Sequence, residues 1–79
     1  MSLHDLRMSL AMSMQELSNT TEAVTGHRVW KQQIIKAEHG EPTSELTKVR
    51  ILHAINHLHN LRGRPVLTID DVIWDVKSK

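Results

Sequence analysis

Residues 43–61 read TSELTKVRILHAINHLHNL, a run with helical spacing on two sides at once. At about 100° per residue, Leu46, Val49 and Leu52 fall on one side of its first half. Ile51, Ala54, Ile55, Leu58 and Leu61 fall on a different side of the second half. A helix with two apolar sides needs two neighbours, so this segment is expected at the centre of a small bundle or partly buried by another subunit. Thr43 or Ser44 supplies its N-cap, and Glu41 and Glu45 lie at the end where negative charge is favoured.

Working upstream, His39-Gly40-Glu41-Pro42 makes a tight connection, because Gly40 sits where helices stop and Pro42 does not continue one. Before it, a helix is expected over 27–39, with Trp30, Ile34 and Ala37 on one side and Val29 adjoining. The first helix is expected over 3–22, on the stripe Leu3, Leu6, Leu10, Met14 and Leu17, widened by Met8 and Met12. Thr20, Thr21, Thr25 and Gly26 end it somewhere in 19–26.

Downstream, Arg62-Gly63-Arg64-Pro65 closes the central helix, and Pro65-Val66-Leu67 is long enough only for a brief extended bridge. Thr68 with Asp70 and Asp71 reads as the start of a last helix over 68–77, burying Ile69, Val72, Ile73 and Val76 as one stripe. Trp74 falls off that stripe and becomes a candidate for a second interface. The expected fold is therefore all-α: a small four-helix domain with short connections, completed or extended by homo-oligomer packing. The segment Arg64-Pro65-Val66-Leu67-Thr68-Ile69-Asp70-Asp71-Val72, following a middle helix, resembles the second loop and final helix of the histone-like fold. The middle helix is much shorter than that family's central one, and no DNA-wrapping function is carried over.

The chain of 79 residues has room for one domain, hiding about 60% of its unfolded surface. It has no cysteine, so a disulfide framework, a thiolate metal site and a cysteine nucleophile are all excluded. Charge divides the domain into three. In 1–25, the amphipathic N-terminal helix and its connection, Arg7 against Asp5, Glu16 and Glu22 gives −2. In 26–64, the basic two-helix middle, Arg28, Lys31, Lys36, Lys48, Arg50, Arg62 and Arg64 against Glu38, Glu41 and Glu45 gives +4. In 65–79, the short C-terminal helix, Lys77 and Lys79 against Asp70, Asp71 and Asp75 gives −1. Ser2, Ser9, Ser13, Gln15 and Glu16 interrupt the N-terminal leucines and methionines, and no run approaches the roughly 20 apolar residues of a membrane span. Stable membrane insertion is not expected, and the cytoplasm is the expected location.

No segment matches GxGxxG, GxxxxGK[ST] or GxSxG, and three glycines are too few for a phosphate cradle. His53 and His57 are four apart and share a helix side, but His59 turns away and Ala54 stands where a zinc protease needs glutamate. They read as ordinary helix-face histidines, and no catalytic, metal or cofactor residue is assigned. Asp70 and Asp71 read as charge at a helix start. The expected role is non-enzymatic: a protein-interaction, regulatory or assembly module, most simply a homodimer that holds another protein. Met8, Met12, Trp30 and Trp74 are the interface candidates. The alternative is a small DNA-binding transcriptional regulator using Arg28, Lys31, Lys36, Lys48, Arg50, Arg62 and Arg64, with Asn56 and Asn60 placed to touch bases. In a helix-turn-helix arrangement 43–61 would be the recognition helix, but Glu45 in its first turn opposes phosphate.

Overall fold

Ser2 opens the part of the chain that the computed structural model describes, residues 2–74. Its hydroxyl accepts from the Asp5 amide at 3.1 Å and starts α1, Leu3–Ser9. The helix ends after two turns. Ala11 takes a left-handed conformation (φ 56°), the Ala11 amide donates to the Met8 carbonyl, and the Met12 amide donates to the Arg7 carbonyl. That pair of bonds is a Schellman ending, with alanine in the place usually held by glycine. Ser13 then starts α2, Met14–Thr25, through a capping box: Ser13 Oγ accepts from the Glu16 amide at 3.1 Å, and Glu16 Oε1 accepts from the Ser13 amide at 2.8 Å. The single helix expected over 3–22 is thus two helices, because the chain carries a stop and a fresh start between Leu10 and Met14.

The left-handed Ala11 should cost roughly 1 kcal/mol relative to glycine. Ala11→Gly relieves that strain and loses part of the gain to the freer unfolded chain. A net stabilisation of about 0.5 kcal/mol in urea unfolding is expected, and a loss of stability instead would show that the alanine methyl packs.

The threonines that sequence reasoning placed at the end of the first helix act as anchors. Thr21 is buried, and its hydroxyl donates to the Ser18 carbonyl at 2.6 Å and accepts from the Val29 amide at 2.8 Å. That bond holds residues 28–30 outside any helix and accompanies the burial of Val29, so α3 begins late and spans Lys31–Glu38. Its stop at Gly40 (φ 76°) repeats the Schellman pattern, with the Glu41 amide on the Lys36 carbonyl. Ser44, whose hydroxyl accepts from the Thr47 amide at 3.2 Å, starts α4, Glu45–Leu61.

The core gathers Leu3, Leu6 and Leu10 of the N-terminal arm with Leu17, Ile34, Ala37, Ile51, Leu52, Ala54 and Ile55. α2 lies along α4 and also against α3, α1 leans on α3, and a C-terminal 3₁₀ turn, Ile69–Asp71, packs on α4. The result is a small all-α domain of four helices with short connections. The two neighbours expected for the central helix are α2 and the C-terminal segment. They cover the arc of Ile51, Ala54, Ile55 and Leu52, while Leu46, at the far end of the first flank, is 57% exposed. The reason is orientation: at about 100° per residue, Leu46 points roughly opposite the centre of the arc formed by Ile51, Leu52, Ala54 and Ile55.

The helix expected over 68–77 does not form in its described part. Asp71 accepts from the Thr68 amide at 2.8 Å and from its hydroxyl, which holds its carboxyl below the ordinary 3.8. The chain makes a single 3₁₀ turn there and then extends at Val72 (φ −108°, ψ 135°). Ile73 pairs with Ser2 in a parallel bridge. Extended chain alternates inside and outside, so Val72 and Trp74 are buried and Ile73 is exposed. Trp74, off the stripe of a helix, is on the stripe of a strand. Val76, the last residue of the expected stripe, lies outside the described residues.

Candidate protein-docking surface

Because α4 carries its buried residues on one broad arc, its opposite side faces outward. Leu46, His53, His57, Asn60 and Leu61 are exposed there, with Val49 and Arg50 half-buried at the margins. Leu61 is 68% exposed, as open as a surface polar residue, although it is the final apolar residue of the helix. Beside this face a groove of about 500 Å³ runs between α2 and α4, lined by Asn19, Thr20, Ala23, Val24, His57 and Leu58. A smaller depression, about 200 Å³, lies under the Gly40–Ser44 connection and is lined by Gln33, Lys36, Pro42, Thr43, Ser44 and Thr47. The second mixes polar and apolar lining about equally, whereas the first is mainly apolar in its lining, through Ala23, Val24 and Leu58, and suits a docking helix.

The interface candidates from sequence are dispersed. Met8 and Trp30 are exposed, Met12 is half-buried against the core, and Trp74 is only 6% exposed. The Trp74 indole N–H donates to the Ile69 carbonyl at 3.1 Å, so this side chain closes the core of its own chain and presents no free face to a partner. Trp30 stands at the N-cap of α3 with the Arg28 guanidinium 5.4 Å from its ring centre.

The basic residues do not converge. Arg28 is spent on Glu22, on Asn19 Oδ1 at 2.6 Å and on Ser18 Oγ at 3.2 Å. Arg62 donates to the Leu10 carbonyl at 3.3 Å, and Arg64 donates to the carbonyl and hydroxyl of Ser9, both at 3.4 Å. Both therefore meet the carbonyl end of α1, where cations are favoured. Lys48 reaches Glu45 at 3.2 Å. Lys31, Lys36 and Arg50 have no ion pair among the described residues, yet helical geometry turns Lys31 and Lys36 about 140° apart, and Lys48 and Arg50 about 160° apart.

Three features escaped sequence reasoning. Arg7 and Glu38 form a buried two-point pair between α1 and α3, with Arg7 Nε to Glu38 Oε2 at 2.6 Å and Nη2 to Oε1 at 3.2 Å, joined by His4 Nδ1 at 3.2 Å. Asn56 clamps the backbone of Leu67, its amide donating to the carbonyl and its oxygen accepting the amide, each at 2.8 Å, and is therefore not available to bases. His59 is buried against the Pro65 carbonyl at 3.0 Å through Nδ1, and its Nε2 has no hydrogen-bond partner among the described residues. Only the first had a sequence signal: opposite charges on residues that fall near the apolar stripes.

Among the described residues no group of three or more His, Cys, Asp or Glu is placed to hold a metal ion. No described helix is long and apolar enough to cross a membrane. Comparison of the chain with protein-family models, with curated proteins and with solved structures finds no match.

Proposed function

We propose that this chain is a non-catalytic interaction module, regulatory or structural in role, that docks another protein on the outward face of α4 and the adjoining α2–α4 groove. The observation that carries the reading is the pair of leucines, Leu46 and Leu61, left open at both ends of a helix whose other side is fully packed. Large apolar side chains cost about 25 cal/mol for each Å² kept in water, and Leu61 stands about one turn from His57 and Leu58 of the groove. The consumption of Arg28, Arg62 and Arg64 inside the domain weighs against the DNA-binding alternative, since phosphate contact would have to displace those bonds.

A photo-crosslinking amino acid placed at position 57 or 61 in cells tests the reading, with position 32 on exposed α3 as the comparison. Specific protein adducts at 57 and 61, absent at 32, are expected. Adducts of equal yield at all three positions would remove the docking surface. A mobility shift on duplex DNA at physiological salt that Lys31→Ala with Arg50→Ala abolishes would favour the nucleic-acid alternative instead.

A further inference from the structure

His53 and His57 lie one turn apart at the middle of the exposed α4 face, and neither ring has a hydrogen bond or ion pair among the described residues. Two imidazoles at this spacing can share one divalent cation, with nitrogen about 2.0–2.1 Å from zinc. A single chain stops at two ligands, because His59, the nearest third histidine, is buried and held by Pro65. Zinc bound by protein completes four positions.

The same face is self-complementary. When two copies of α4 lie antiparallel about a two-fold axis near residue 55, His53 faces His57 of the second copy, and His57 faces the second copy's His53. Val49 and the second copy's Leu61 then stand at the same level along the axis but on opposite margins of the contact, because they lie about 120° apart around the helix, and Arg50 and Asn60 do likewise at about 80°. A two-fold contact requires this kind of reciprocal matching. Area indicates what must hold it. The strip from Leu46 to Leu61 is about 22 Å long and roughly 10 Å wide, far below the ~800 Å² per partner of a stable interface. Apolar contact alone leaves the pair weak, and four metal bonds supply what area does not.

We infer that a divalent transition cation of the zinc type bridges two copies of this chain through His53 and His57 of each, with Leu61 and Val49 flanking the site. This rests on the docking reading above and makes a second copy the occupant of the α4 face. Binding replaces the cation's waters with neutral imidazole nitrogens, and no redox step is involved.

The test is light scattering on the untagged chain in EDTA, then with half an equivalent of ZnCl₂, alongside His53→Ala and Leu61→Glu. Both substituted side chains are exposed, so folding is preserved, and circular dichroism verifies this. Wild type should double in mass with zinc and revert in EDTA, with one zinc per two chains by calorimetry. His53→Ala should stay monomeric and lose the calorimetric signal, while Leu61→Glu should need more zinc to reach the same mass. Zinc binding without a mass change, the absence of zinc binding, or a zinc-dependent dimer that survives His53→Ala overturns the inference. In each of those cases site-specific crosslinks at 57 and 61 would leave the docking surface standing, and their absence would remove both.

Discussion

Replacing Trp74 by alanine is expected to lower the unfolding free energy by about 3–5 kcal/mol, a large share of the 5–15 kcal/mol that holds a typical domain together. Two losses combine. The buried indole leaves a hole between Val72 and the central core, and the Ile69 carbonyl loses its donor at 3.1 Å. Because Trp74 is the last buried residue described, its loss also weakens the reason for the chain to extend past the 3₁₀ turn. Urea unfolding followed by far-ultraviolet circular dichroism measures the change without relying on tryptophan emission. Trp30→Ala is the internal comparison: that ring is 62% exposed, and its removal should move stability by about 0.5 kcal/mol or less. Equal effects of the two substitutions would show that Trp74 is not the core anchor described above.

Arg7→Ala should be comparably damaging, at about 3–5 kcal/mol, because it strands Glu38, whose side chain is 3% exposed. A buried carboxylate without its partner keeps the whole cost of leaving water. Arg7 also donates to the Met12 carbonyl at 2.9 Å, so the turn between α1 and α2 loosens with it. Arg7→Lys should rescue little, since an ammonium does not reproduce the two-point contact. Replacing both partners, Arg7→Met with Glu38→Leu, should recover most of the loss, as apolar substitutes for buried pairs commonly do. A thermal melt of the three variants decides it, and a double variant no more stable than Arg7→Ala would refute the account.

Where the sequence was legible, the signal was local. α4 was readable almost to its ends from Ser44 to the Arg62-Gly63 stop, because cap, periodicity and terminating glycine agree. The Ser13–Glu16 capping box was equally local and was passed over, since the leucines on both sides of it share one helical stripe. An apolar stripe records which side is buried. It is silent about whether the helix stays unbroken. The reading of Trp74 turned on a related ambiguity: Ile69, Val72, Ile73 and Val76 fit a helical stripe while Val72 and Trp74 fit an alternating one, and pairing of Ile73 with Ser2, far away in sequence, decided between them. The α4 face was half legible. Leu46 and Leu61 were recognised as apolar flanks, but that their side of α4 stays uncovered is a tertiary fact. A count of charges also does not show that Arg62 and Arg64 reach the carbonyl end of α1.

The Ser2–Ile73 bridge ties the two ends of the described chain together, and this has a consequence for biosynthesis. Leu3, Leu6 and Leu10 are the first core residues to leave a ribosome, yet Val72 and Trp74, which belong to the same core cluster, are among the last. The nascent domain therefore keeps part of its apolar lining uncovered until residues 72–74 have emerged. Closure waits for those residues, and slowing the codons for residues 72–74 would prolong the interval in which chaperones or proteases can engage the chain.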